Sequence, residues 1–413
     1  MIKSNIDTIR ANFPILHQEV NGKPLVYFDN AATTQKPKQV IEALNQYYLK
    51  DNANIHRAAH TLASRATDYF ENTRRTIQAF INANEPEECI FTKGVTESIN
   101  LVAQTWGRAN LNAGDEVIVT TMEHHSNIVP WQMICDEKGA KLRVVPINQN
   151  GELIMEAYEE MLSANTKLVA CVWVSNALGT INPVEKIINL AHQVGAKVLL
   201  YGAQACSHLN VDVQKLDCDF LAISSHKLYG PTGVGVLYGK REVLETMPPY
   251  HGGGEMIKEV TFEKTTYNDI PYKFEAGTPN IGDVIAFRYA LDYLTVLGKE
   301  NVADYELQLL NYFVNGVNEI NKQTNDAIKL IGTAKSKVAV QSFVIKNMHP
   351  FDVGMMLDAK GIAVRTGHHC TQPLMQFFEL EGTIRVSFAL YNTFSEIDTL
   401  LQALTSIAKY ANR

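Results

Sequence analysis

The stretch FLAISSHKLYGP, residues 220–231, runs from an apolar segment straight into a polar turn closed by Gly230 and Pro231. Residues apolar on both faces suit the interior of a sheet covered by helices on both sides. Six more runs of this kind lie at 88–92, 116–120, 142–147, 167–174, 197–201 and 234–238, with amphipathic stretches such as 183–194 between them. The alternation predicts an α/β fold with a mostly parallel seven-stranded sheet flanked by helices. Beyond about residue 290 the pattern changes to a long amphipathic helix (304–321), short strands (327–331, 342–345, 384–388) and further helices, which predicts a smaller α+β C-terminal domain. The expected division is an N-terminal segment, 1–25, packing with the small domain; a large domain, 26–285; and a small domain, 286–413, carrying a cysteine loop. The Gly-rich stretch 251–254 and the segment running to 279 are expected as loops near the site or at a subunit contact.

In a parallel sheet ligands collect at the carboxyl ends of the strands. Those ends are polar here: Lys93-Gly94-Val95-Thr96, Glu123-His124-His125-Ser126-Asn127, Ser175-Asn176, Tyr201-Gly202-Ala203-Gln204 and Ser224-Ser225-His226-Lys227. Lys227 is therefore expected at a pocket floor, where desolvation and nearby cations favour a neutral amine able to form a Schiff base with an aldehyde. An exposed loop lysine is the alternative. Gly94-Val95-Thr96 opening an amphipathic stretch offers backbone N–H groups and a hydroxyl to a phosphate, or simply a helix cap. From its position after a strand, His124 can lie flat over a planar ring.

The 413 residues are 46% apolar and 20% charged, with a net charge of −7, and the charges are scattered. That pattern gives no footprint for nucleic acid or an anionic membrane, and no segment approaches a membrane span. The cytoplasm is the expected location, since 1–16 lack the apolar stretch of a signal peptide. Six dispersed cysteines without CxxC pairs suggest neither a disulfide framework nor a zinc site. No metal is expected, because adjacent side chains in His124-His125 and His368-His369 point to opposite faces. Cys370 stands apart from the other five: Arg365-Thr366-Gly367-His368-His369-Cys370-Thr371-Gln372-Pro373 is a polar, Gly- and Pro-bounded segment that suits an exposed nucleophile. Arg385, a charge inside the strand TIRVSF, calls for a partner anion: a carboxylate ligand or an internal salt bridge.

SSHKLYGPTG (224–233), TTMEHHSNIVPWQ (120–132), NANIHRAAH (52–60), RTGHHCTQPLM (365–375) and GTIRVSFALYNT (382–393) together resemble the group II (SufS-like) cysteine desulfurases, pyridoxal phosphate enzymes of fold type I and the class V aminotransferase group. The resemblance implies that Lys227 carries the cofactor and moves the Cα proton. It also implies that His124 stacks on the ring, that Val95, Thr96, Ser224 and His226 hold the phosphate, and that Thr278 reaches the phosphate of a partner subunit. Asn176 and Gln204 are implied beside the ring hydroxyl, Arg385 on the substrate carboxylate, and Arg365, His56 and Arg57 at the entrance. Cys370 is implied to take the sulfur of L-cysteine as a persulfide while alanine leaves. A homodimer is implied as well, with a sulfur acceptor of the SufE or SufU type serving iron–sulfur cluster assembly. A selenocysteine lyase would share most of these parts.

One position departs from the pattern. The residue ahead of Gly202-Ala203-Gln204 is normally an aspartate paired with the pyridinium nitrogen, and here it is Tyr201. A phenol with an ordinary pKa of about 10 stays neutral and offers only a hydrogen bond, so the electron sink is weaker. The expectation is retained cofactor binding with lowered turnover; the alternative is an inactive scaffold that binds a sulfur-transfer partner.

Overall fold

The computed structural model describes residues 2–57 and 59–411. Its central sheet has seven strands: β1 (Cys89–Thr92), β2 (Glu116–Thr120), β3 (Lys141–Val145), β4 (Thr166–Val172), β5 (Lys197–Tyr201), β6 (Phe220–Ser224) and β7 (Gly235–Gly239). They lie in the order β1-β7-β6-β5-β4-β2-β3, with β7 antiparallel to both neighbours and the other pairings parallel. Every residue of β2, β6 and β7 is buried, as a sheet sandwiched between helices requires. Because β7 runs against its neighbours, β1, β2, β4, β5 and β6 all end at the same edge, where the polar strand ends predicted above come together.

The segment after β1 opens helix α1 (Val95–Val102). Gly94 and Gly235 allow that helix to start against the sheet, since a Cβ on Gly235 would lie 2.4 Å from Gly94 Cα. Helix α2 (Ile281–Leu297) packs on the helix Thr61–Ile81 and leads through Gly298 into α3 (Lys299–Gln323), which rests on the final helix α4 (Phe394–Ala411). The second sheet is antiparallel, with strands β8 (Ile328–Ile331), β9 (Val340–Ile345), β10 (Arg365–Gly367) and β11 (Thr383–Ser387) in the order β8-β9-β11-β10.

Two differences from the sequence reading concern short elements. The segment expected as loop contains a two-stranded ribbon, Ile257–Val260 against Thr265–Tyr267, whose residues are half-buried or exposed and so lack the apolar alternation that marks a strand. Strand β10 was hidden for a similar reason: Arg-Thr-Gly carries no apolar signal, and the strand exists because β11 offers it a partner.

The two sheets are joined at the edge where the site forms. Ser387 N donates to Phe28 O at 2.8 Å, and Ala31 N donates to the Ser387 hydroxyl at 2.8 Å. Ser342 donates to Ala177 O at 2.7 Å, and Val26–Tyr27 pairs in parallel with Ile362–Ala363. These links seat β11 and the loop after β10 against the ends of β4 and β5.

Candidate active site

A cavity of about 590 Å³ opens where the strand ends meet the second sheet. Lys227 stands in its wall on the one-turn helix Ser225–Lys227 directly after β6, and is 8% exposed. The turn depends on Gly230, where a Cβ would meet Ser225 Oγ at 2.3 Å and Phe287 at 2.6 Å. Burial, reinforced by the Arg385 charge, lowers the Lys227 amine to a pKa of about 8, so a substantial fraction is neutral near physiological pH.

The start of α1 lies beside this amine. Val95 N donates to Ser224 Oγ at 3.1 Å, and Val95, Thr96, Ser224 and His226 all line the cavity. Backbone donors at a helix start, two hydroxyls and an imidazole form a seat for a phosphate. The His226 carbonyl accepts from Thr34 N, Thr33 Oγ1 and Lys36 Nζ, each at 3.1 Å, which fixes the turn from below.

His124 forms another part of the wall. Burial first, then the Lys227 charge, pushes its imidazole down to a pKa of about 3, so it is neutral. Its Nδ1 accepts from Ser126 N at 3.1 Å and lies 2.8 Å from Ser126 Oγ. Beneath it the fully buried Glu123 carboxylate accepts from Thr120 Oγ1 (2.6 Å), Asn127 Nδ2 (2.7 Å) and Val172 N (2.8 Å), and burial still raises it to about 7. Sequence reasoning saw Glu123 only as part of a polar strand end; its role is to clamp the loop that carries His124.

Arg385, 2% exposed, projects from β11. Nη1 donates to Asn176 O at 2.9 Å and Nη2 to Asp29 Oδ1 at 3.0 Å, while Nε is buried without a partner. Asn176 donates to His369 O at 2.9 Å and leaves its own Oδ1 buried and unpartnered. An unpaired guanidinium N–H and an unpaired amide oxygen in one cavity wall leave hydrogen-bonding capacity for a carboxylate and for a hydroxyl-bearing ring. Asp29 was missed; it follows the short apolar run Leu25–Phe28 and so was one more polar strand end in the sequence.

Cys370 faces the same cavity. It and His369 both have positive φ, 58° and 52°. The loop is held from the large sheet: His125 N donates to Cys370 O at 2.8 Å, and Gln372 N donates to His125 Nε2 at 3.0 Å. The other five cysteines are buried, and burial, the largest cause, pushes the Cys89 and Cys206 thiols up to about 12. Cys370 is only half-buried. Arg365 opens β10 and lies at the same mouth.

Four expected residues are placed elsewhere in the single chain. Gln204 is buried and donates to Ala31 O at 2.7 Å. Thr278 lines a smaller neighbouring cavity of about 200 Å³. His56 pairs with Glu71 at 3.0 Å and packs edge-on against Tyr272, and Arg57 pairs with Glu255 at 2.9 Å. Among the described residues no cluster of three His, Cys, Asp or Glu could hold a metal ion.

Tyr201, at the end of β5, lines the cavity, and its ring stacks on His124 with centroids 5.6 Å apart and planes 21° apart. Burial holds its phenol neutral, well above the ordinary tyrosine range. The cavity thus fits pyridoxal phosphate at the phosphate seat, at the amine and on the hydroxyl side, and differs from the usual arrangement at the ring-nitrogen edge.

A lysine poised for Schiff-base chemistry, beside an anion seat at the end of a parallel sheet, defines an α/β enzyme that works through a phosphorylated aldehyde. The class V aminotransferase family model matches residues 26–400. The chain is 52% identical over 403 residues to a cysteine desulfurase of Synechococcus elongatus, covering 98% of this chain but 64% of that protein. It is 50% identical to a probable cysteine desulfurase of Synechocystis, covering 99% and 97%, and 49% identical to a cysteine desulfurase of Enterobacter, covering 97% and 98%. Among solved structures, a cysteine desulfurase of Escherichia coli aligns with a TM-score of 0.87 at 37% identity over 98% of both chains. The apo enzyme of Thermococcus onnurineus aligns at 0.90 and 37%, over 96% of this chain and 98% of that one. The chain belongs to the class V aminotransferase family and, within it, to the cysteine desulfurases. No helix among the described residues is long and apolar enough to cross a membrane.

Proposed function

We propose that this chain converts L-cysteine into L-alanine and takes the sulfur onto Cys370 as a persulfide, with pyridoxal phosphate as its cofactor. The observation that carries the reading is the meeting of Lys227, from the large sheet, with Cys370, from the loop after β10, in one cavity. When bound, pyridoxal phosphate supplies an aldehyde that joins the substrate amine and a ring that accepts the electron pair left at Cα. Val95, Thr96, Ser224 and His226 hold the phosphate, His124 supports the ring, and Asn176 serves its hydroxyl side. Lys227, its amine partly neutral, holds the aldehyde before substrate arrives and afterwards takes the Cα proton and returns protons to the departing alanine.

Arg385 grips the substrate carboxylate through its open Nε edge, oriented by Asp29 and Asn176. The Cys370 thiolate attacks the substrate sulfur: a new S–S bond forms, the Cβ–S bond breaks, and its electron pair stays with carbon, which is protonated to the methyl group of alanine. Arg365 offsets negative charge at the mouth. The neutral Tyr201 stabilises positive charge on the ring nitrogen less than a carboxylate does, so turnover is lower than with aspartate there.

The reading extends to a homodimer in the cytoplasm that passes sulfur to a SufE- or SufU-type acceptor for iron–sulfur assembly. Exposed Tyr48, Leu49, Val260 and Phe262 supply apolar surface for the second copy, and Thr278, His56 and Arg57 belong near its cavity. The division into segments 1–25, 26–285 and 286–413 is retained with it. The decisive experiment is mass spectrometry of the Cys370 peptide after incubation with pyridoxal phosphate and cysteine. One added sulfur, lost in Cys370→Ser, is expected; an unmodified peptide alongside released alanine would rule the mechanism out.

A further inference from the structure

His124 is the platform for the cofactor ring in this reading, yet in the structure another ring already rests on it. Tyr201 and His124 stack with centroids 5.6 Å apart. Inserting a third ring between them would take two contact spacings of about 3.5 Å, or about 7 Å. The pyridine therefore cannot enter between the two rings as they stand. Tyr201 is also enclosed: it is 2% exposed, its phenol faces the Ser126 side chain, and Ser126 Oγ lies 2.8 Å from His124 Nδ1. Its ring centroid is 5.9 Å from Lys227 Nζ, so the ring lies beside the very amine that must receive the aldehyde. An aspartate on the same Cα is shorter by most of a benzene ring and leaves the imidazole face free.

We propose that Tyr201 covers the ring face of His124 in the cofactor-free protein and must turn off it before the pyridine can seat, so that this one side chain sets how tightly the cofactor is held. The proposal rests on the pyridoxal phosphate reading above and narrows the earlier expectation that cofactor binding is retained. Leaving the stack and the contact with Ser126 weakens binding on the order of ten- to thirtyfold. The phosphate seat at the start of α1 does not involve Tyr201, so the effect belongs to the ring alone.

The test is equilibrium dialysis of pyridoxal phosphate, and separately of inorganic phosphate, against the parent chain, Tyr201→Asp, Tyr201→Ala and Tyr201→Phe, with circular dichroism confirming each fold. Tyr201→Asp and Tyr201→Ala should bind pyridoxal phosphate ten- to thirtyfold more tightly, Tyr201→Phe by at most a few fold, and inorganic phosphate equally in all four. A crystal structure of the parent with cofactor bound, which needs no variant, should show Tyr201 off His124. Unchanged affinity in Tyr201→Ala, a parallel gain for inorganic phosphate, or Tyr201 still stacked on His124 beside a bound cofactor would each overturn this inference alone. No uptake by any chain, Tyr201→Asp included, would remove the proposed function with it.

Discussion

Replacing Lys227 with methionine should make the cofactor-free protein more stable at neutral pH, although it removes the residue on which the proposed chemistry turns. Burial and the Arg385 charge lower the amine from 10.5 to about 8. Each pKa unit is worth about 1.4 kcal/mol, so the charged amine costs the fold about 3 kcal/mol at most. Below pH 8 the amine is charged in the folded and unfolded chain alike, and the full cost applies. Between pH 8 and 10.5 the unfolded chain keeps the proton while the folded one releases it, so the parent gains stability as pH rises. Above 10.5 the amine is neutral in both states and the cost is gone. Methionine is close to the lysine stem in shape and carries no charge, so Lys227→Met should exceed the parent by up to about 3 kcal/mol at pH 7 and match it near pH 10.5. Urea titrations of both cofactor-free chains at pH 7, 8.5 and 10 measure the difference. A gap that stays constant from pH 7 to 10, or a variant less stable at pH 7, would refute the account of the buried amine. The same titration predicts that capture of pyridoxal phosphate by the parent speeds up as pH rises through about 8.

Arg385→Lys loses the planar fork shared among Asn176, Asp29 and the open Nε edge; KM for cysteine should rise on the order of ten- to a hundredfold with a smaller change in kcat, measured by alanine release. Asp29→Asn keeps an oxygen for Arg385 but removes a carboxylate whose pKa burial raises, so KM should fall severalfold with melting temperature unchanged or higher; a rise in KM would show that Asp29 serves the substrate directly. Gly235→Ala drives a Cβ to within 2.4 Å of Gly94 Cα and should cost about 1–3 kcal/mol in thermal unfolding while weakening both pyridoxal phosphate and inorganic phosphate. Tyr201→Asp should raise alanine release at saturating cofactor; equal rates would show that the ring-nitrogen partner does not limit turnover.

The large sheet was readable because its strands are buried on both faces, and a continuous apolar run is what such a strand must be; all seven runs became strands with ends shifted by at most a few residues. The same logic exposed Lys227, His124, Asn176 and Ser224, since polar residues after buried strands have few other reasons to be there. Elements whose existence depends on a distant partner were not readable: β10 carries no apolar signal and is fixed by β11, and the ribbon at 257–267 has little to bury. Nor could spacing reveal that Asp29 orients Arg385, 356 positions away along the chain, or that His125 holds the cysteine loop. The stack of Tyr201 on His124 was equally invisible, because the sequence gives a residue's size without saying which neighbour it leans on.

The fastening of the loop by His125, at the carbonyl of Cys370 and the amide of Gln372, has a consequence for where sulfur can travel. With the chain held on the carboxyl side of the thiol in this conformation, the reach of the sulfur is set by how far the Cys370 side chain swivels. Under the proposed function, sulfur loaded there stays at the doorway of its own cavity. In the proposed function, a protein that collects it has to reach in with a narrow projection of its own.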